Sequence, residues 1–188
     1  MARFSVFTNI IVCCVLILIP ETALTAEILL PEISIRENEI IVYTGLSNIK
    51  EIETTIKSGV EKEIVFTIEL FKVWNYWPDE FVVSKKIRRI IKYDNLREHY
   101  LVTSFNGDLP IERTFRDFSI IKKLIFMVYD VSLVKVKELD PGSYYVRVVA
   151  ESKSRELPSV IGLLMLFIPE VEMSLAIESY RFNIGESG

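Results

Sequence analysis

Between Glu61 and Trp74 the chain reads EKEIVFTIELFKVW, with apolar residues on alternate positions. Ile64, Phe66, Ile68 and Leu70 share one face; Val65, Thr67, Glu69 and Phe71 share the other. Successive side chains of a strand point to opposite sides, so this is a long strand with one face more apolar than the other. A face of that kind must be covered by a second layer, which constrains the fold more than any other stretch of the chain. The sequence that follows supplies its partners. After a break at Asn75 to Asp79, which contains Pro78, a second long strand runs from Phe81 to Tyr93. Asp94-Asn95 then turn the chain, and Glu98 to Phe105 return as a third strand, so YDNLREHYLV reads as a hairpin.

The remaining elements are shorter. Ile40 to Thr44 is rich in β-branched residues and marks a strand over 39–46. Asn48 with Glu51 three residues on forms a capping box for a helix over about 49–58, with Gly59 just past its end. Asn106-Gly107-Asp108 and Pro110 form a loop, and 114–129 changes to helical period through Phe118, Ile121, Leu124, Ile125 and Val128. VSLVKVK over 131–137 alternates as a strand, Asp140-Pro141-Gly142-Ser143 is a turn, and Tyr144 to Glu151 returns. A last strand spans Met173 to Ile184. About seven strands and two helices, joined mostly as hairpins, predict a mainly β fold. The expected architecture is an antiparallel β-sandwich, immunoglobulin-like in character, with two inserted helices. The alternative is α+β, one twisted antiparallel sheet covered by helices.

The N-terminus sets the expected compartment. Arg3 is followed by the apolar run Val6 to Ile19, by Pro20, and by Glu21-Thr22-Ala23-Leu24-Thr25-Ala26. A basic start, a short apolar segment and small residues are the layout of a secretory signal peptide. Residues 1–26 are therefore expected to be removed after Ala26, with Ala23 the second site, leaving a single β-rich domain over 27–188. An uncleaved inner-membrane anchor over residues 4–20 is the competing reading. Both cysteines, Cys13 and Cys14, lie inside the apolar run, so the remainder is thiol-free, which suits a periplasmic or other oxidising location.

The residues that usually carry chemistry are scarce. His99 is the one histidine, and no second imidazole or thiol in the domain can complete a zinc site with it. No Gly-x-Ser-x-Gly elbow and no phosphate-cradling glycine pattern occurs. Asn106-Gly107-Asp108 falls short of a calcium loop. Asp79-Glu80 and Asp94 are the carboxylates a hydrolase would draw on, and loop solvation and turn capping account for them more simply. No cofactor is expected. The net charge of −4 gives no footprint for nucleic acid.

Three surfaces stand out instead. Trp74, Tyr76 and Trp77 cluster at the end of the long strand, where aromatics either pack over the sandwich mouth or anchor a partner. Lys85, Lys86, Arg88, Arg89 and Lys92 crowd one strand; they suit an acidic partner or a lipid headgroup, or else pair across strands with Glu61, Glu63 and Glu69. Between Pro158 and Pro169, residues 160–168 form an apolar run through Leu163, Leu164, Leu166 and Phe167, too short to span a bilayer as a helix. Buried, that run is core; exposed, it docks on protein or membrane.

The order of motifs resembles a bacterial exported family of unknown function, number 4390 among such domains. The likeness rests on Gly45-Leu46 followed by the helix to Gly59, and on the strand ending in Trp74 and Trp77. It continues through Tyr93-Asp94-Asn95-Leu96 with Tyr100 and Val102, Leu139-Asp140-Pro141-Gly142 with Tyr145 and Val146, and Leu157-Pro158. Near the end, where the family pattern implies more tryptophan, this chain has Val171, Ile177 and Tyr180. The resemblance implies export, offers no activity to transfer, and hints at companions of membrane signalling proteins. The expected function is a non-enzymatic accessory module that binds an envelope protein. A lipid- or membrane-surface-binding protein, using 160–168 and the basic strand 85–92, is the alternative, and a carboxylate-dependent hydrolase ranks third.

Overall fold

The strand expected over 61–74 is Lys62–Lys72, and both of its edges are paired along its full length. This computed structural model describes residues 26–106, 109–154 and 171–185. In chain order the elements are β1 (Glu27–Ile28), β2 (Glu32–Arg36), β3 (Glu39–Ser47), α1 (Lys50–Lys57), β4 (Lys62–Lys72), β5 (Glu80–Asp94), β6 (His99–Asn106), β7 (Leu109–Phe115), α2 (Phe118–Phe126), β8 (Met127–Lys135), β9 (Gly142–Ser154), β10 (Val171–Glu178) and β11 (Phe182–Ile184). The protein is mainly β, with two antiparallel sheets in a sandwich-like arrangement and two helices.

The larger sheet runs β10-β9-β4-β5-β6-β7, with β11 continuing β10 along the same edge of β9. Its period-two alternation decides what is buried. Ile64, Phe66, Ile68 and Leu70 of β4 are fully buried, and the register sets Tyr144, Val146, Val148 and Ala150 of β9 on the same face. The smaller sheet centres on β3, which pairs β1 and β2 along one edge and β8 along the other. Ile40, Val42 and Leu46 of β3 join the same core, as do Ile52 and Ile56 of α1 and Ile121, Ile125 and Phe126 of α2. Tyr100 links the hairpin to α2, with its ring 4.6 Å from Tyr93 and 5.4 Å from Phe118.

Several local expectations are corrected. Asn48 does not cap α1: it has φ of 53°, the N-cap is Ile49, and no side chain caps the helix. The helix expected over 114–129 is Phe118–Phe126 alone, because β7 takes its beginning and β8 its end. Asp117 starts that helix, accepting a 2.7 Å hydrogen bond from the Ser119 amide. The loop beginning at Asn106 yields to β7 at Leu109, and the single strand over 173–184 is two. Ser179 bridges the break: its amide donates to the Val146 carbonyl and its hydroxyl accepts from the Val146 amide.

Two predictions follow from this framework. A Cβ on Gly45 would stand 2.7 Å from the Phe126 carbonyl oxygen and against the Met127 sulfur, where β3 meets β8. Gly45→Ala is expected to cost about 1–3 kcal/mol in urea unfolding, by analogy with overpacked cores. Gly185→Ala, which meets nothing within 4 Å, is its silent control. The second concerns pH. Hydrogen bonds from the Ser119 hydroxyl and amide hold the Asp117 carboxyl below the ordinary 3.8. The stability this supplies is complete above pH 3.8 and fades as pH falls through the lowered value. Asp117→Asn, which caps without titrating, is expected to flatten that acid loss in thermal melts taken between pH 2 and 5.

Candidate functional site

The aromatic residues singled out in the sequence gather at the tip joining β4 to β5. Trp74 is 45% exposed, Tyr76 93% and Trp77 77%. Trp74 is held in place from several sides. The Trp74 amide donates to Asp79 at 3.1 Å, and its indole Nε1 donates to Glu80 at 3.1 Å. The Lys72 ammonium lies 5.0 Å from the centre of the Trp74 ring. The Val73 amide donates to the Ser143 carbonyl at 2.8 Å, tying the tip to the start of β9. Asp79 and Glu80, the hydrolase candidates, are thus engaged in holding Trp74.

The patch continues onto the outer face of the large sheet. Phe81 is exposed and sits edge-on to Phe71, with ring centres 5.8 Å apart. Phe71 stacks on Tyr145 at 5.4 Å, and the Arg147 guanidinium covers Phe71 at 4.7 Å while pairing with Glu69 at 2.7 Å. Burial, together with the nearby Glu178 and Asp79 carboxylates, pushes the Tyr145 phenol up, so it stays protonated at neutral pH. This end of the sheet offers a preformed, amphipathic aromatic surface with both signs of charge around it.

The basic cluster behaves differently, because its members alternate between faces. In register with β4, Lys85 and Arg89 stand opposite Ile68 and Ile64 on the inner side, whereas Lys86 and Arg88 stand opposite Thr67 and Val65 on the outer side. Lys85 donates to the Ser132 carbonyl at 3.0 Å. Arg89 donates from Nη1 to the carbonyls of Ile125 at 3.0 Å and Met127 at 2.8 Å, which satisfies the C-terminal end of α2. Burial alone lowers its guanidinium. Arg88 pairs with Glu63 and lies 4.4 Å from the Phe105 ring. The five basic side chains therefore form no single electropositive patch. Leu163, Leu164, Leu166 and Phe167 lie outside the described residues.

His99 is half-buried, with Nδ1 3.3 Å from the Arg97 carbonyl. Asp94 accepts from the amides of Leu96 and Arg97, which hold its carboxyl below the ordinary value. No group of three or more His, Cys, Asp or Glu residues is arranged to hold a metal ion among the described residues. Nor is any helix among them long and apolar enough to cross a membrane.

A second concave site was missed from the sequence. It is a cavity of about 460 Å³ bounded by α1, β4, β9 and β10, with Lys62, Ser152 and Glu172 among its lining residues. The signal was present: Lys62 has the same parity as Ile64, Phe66 and Ile68, so the rule that defined the apolar face put a lysine on it.

The split of the basic cluster carries its own prediction. Arg89→Met leaves two carbonyls without their donor and is expected to cost about 1–3 kcal/mol in chemical denaturation. Lys86→Ala and Lys92→Ala, on exposed positions, are expected to stay within about 0.5 kcal/mol.

With the geometry in place, family comparison adds one result. The model of the family described as Domain of unknown function (DUF4390) matches residues 24–183, so the chain belongs to that family. No curated protein and no solved structure matches the chain.

Proposed function

We propose that this DUF4390 protein is an exported, non-enzymatic module that docks a protein partner at the cell envelope. The aromatic tip between β4 and β5 is its contact surface. The observation that carries the reading is the exposure of Trp74, Tyr76, Trp77 and Phe81 together at one end of a sheet whose Phe66, Tyr100, Tyr144 and Tyr145 are buried. Trp and Tyr are the residues most enriched at the energetic centres of protein interfaces, because each covers much apolar area with few rotatable bonds. Trp74, held by hydrogen bonds and a cation, loses little entropy on docking, so more of its contact energy is retained as affinity. The mixed charges of Lys72, Asp79, Glu80, Arg147 and Glu178 around it suit the polar rim of a protein contact. The basic, apolar and small residues of 1–26 support export.

The test is crosslinking in intact cells from a photoreactive residue at position 77, with Leu96, exposed at the other hairpin, as control site. One recurring crosslinked protein, specific to position 77, is expected. Purified with that partner, the double variant Tyr76→Ala, Trp77→Ala is expected to lose at least about tenfold in affinity, or roughly 1.4 kcal/mol. Its melting temperature is expected to be unchanged, since both side chains are largely in solvent. Equal, diffuse crosslinking at both sites would overturn the reading.

A further inference from the structure

The inner face of β4 and β9 is apolar through its middle and carries a lysine at each end, Lys72 beside the aromatic tip and Lys62 at the other. At the Lys62 end, Ser152 and Ser154 of β9 stand beside the lysine in place of the isoleucines, valines and alanine of the middle positions. Lys62 and Ser152 are almost completely buried, at 3% and 1% exposure. Lys62 is paired with Glu172, and the Ser152 hydroxyl is the buried side-chain group without a hydrogen-bond partner among the described residues. A buried hydroxyl left unpaired is destabilising, so its retention beside a cavity calls for an explanation.

The cavity they line provides one. Its volume of about 460 Å³ falls within the range of small-molecule sites. Ile52 and Leu175 give it apolar wall, and Lys62, Ser152 and Glu172 give it a polar end. Glu172 differs from its two companions. Its side chain is 38% exposed, and it sits where the β9-β10 register shifts between Val171 and Met173, on the outermost strand of the sheet. A carboxylate so placed can turn out to solvent by giving up its bonds to Lys62 and the Ser154 hydroxyl. Lys62 cannot follow it, because its side chain is 4% exposed, and an ammonium left unpaired at that depth is strongly destabilising. Whatever displaces Glu172 must therefore bring its own negative charge. Glu51, also on the lining, disfavours a second negative charge on the same ligand.

We propose that this cavity is a binding site for a small monocarboxylate with a short aliphatic body, whose carboxylate takes the place of Glu172 on Lys62 and accepts from the Ser152 hydroxyl. Glu172 is then an internal stand-in that closes the site when it is empty, and the aliphatic body lies against Ile52 and Leu175. The site stands at the opposite end of β4 from the aromatic tip, ten residues or about 33 Å away. It does not depend on the protein-docking reading.

Calorimetric titration of the full chain with hexanoate tests it. The arms are hexylamine, hexanol, and a leucine-ended dipeptide with either a free or an amidated C-terminus. Hexanoate is expected to bind while hexylamine and hexanol do not. The free dipeptide binding as well, with the amidated one silent, would assign the carboxylate to peptide ends rather than to free acids. Glu172→Gln removes the competing carboxylate and is expected to tighten hexanoate binding by about tenfold or more, since the open form no longer has to be selected from a closed majority. Ser152→Ala is expected to weaken it several-fold, and Lys62→Met to abolish it. Should Lys62→Met fail to fold, the opposite signs of Glu172→Gln and Ser152→Ala still decide. Absence of hexanoate binding to both the natural chain and Glu172→Gln would overturn the proposal, as would binding that neither Glu172→Gln nor Ser152→Ala alters.

Discussion

The structure depends on the double pairing of β4. Eleven of its residues pair with β5 and the same eleven with β9, so no backbone group along it needs water. That lets its inner face be fully dry. Ile64, Phe66, Ile68 and Leu70 have no exposed surface, and each such side chain contributes about 1.5–3 kcal/mol on burial. The rest of the chain covers this face. The small sheet supplies Ile40 and Val42, and the two helices supply Ile56, Ile121 and Ile125 to the same core. Neither helix is more than nine residues long, which is too short to be stable in isolation, so both are held by packing rather than by propensity.

That dependence explains what was legible in the sequence. β3, β4, β5, β6 and β9 each bury one face against something, and each shows the alternation or β-branched run that burial demands. The family assignment was readable from turn and strand-end residues for a related reason: Gly45, Gly59 and the Asp94-Asn95 turn are where the backbone has least freedom. Gly59, for instance, takes φ of 94° against the Asn95 side chain, where a Cβ would not sit. β7 was not legible. Leu109, Ile111 and Phe115 do share one side, but nearly all of the strand is exposed and Pro110, close behind Asn106-Gly107-Asp108, reads as loop. Asn48 looked like a cap because its spacing to Glu51 is right. Its positive φ instead spends the residue on turning the chain out of β3.

The candidate sites divide along the same line. The aromatic tip was visible because tryptophans next to a proline at a strand end are conspicuous. The anchoring of Trp74 was not, since its bonds to Asp79 and Glu80 depend on how the tip closes. The basic run was conspicuous too, but a count of charges along a strand says nothing about direction. Parity says more: Arg89 shares its side with Ile87 and Ile91, and so belongs inside. What only the fold supplies is its purpose there. α2 runs straight into β8 at Phe126–Met127 with no intervening turn, which strands helix-end carbonyls under the sheet, and Arg89 is the donor that reaches them.

Lys62 and Arg89 solve the same problem in different ways. Each is a cation placed by strand register on a face that is otherwise apolar, and each must be neutralised or hydrogen-bonded where it lies. Arg89 is answered by two main-chain carbonyls that cannot leave, so its charge is permanently committed to holding the layers together. Lys62 is answered by one side-chain carboxylate on an irregular edge strand, with a cavity and an unpartnered hydroxyl beside it. Burial pushes the Glu172 carboxyl up, but hydrogen bonds from Lys62 and Ser154 and the Lys62 charge outweigh it and hold the group below its ordinary value. Glu172 thus stands as a carboxylate against Lys62 at neutral pH. Only one of the two is confined by the core, and an ion pair with one fixed and one releasable partner is the arrangement an exchangeable anion site requires.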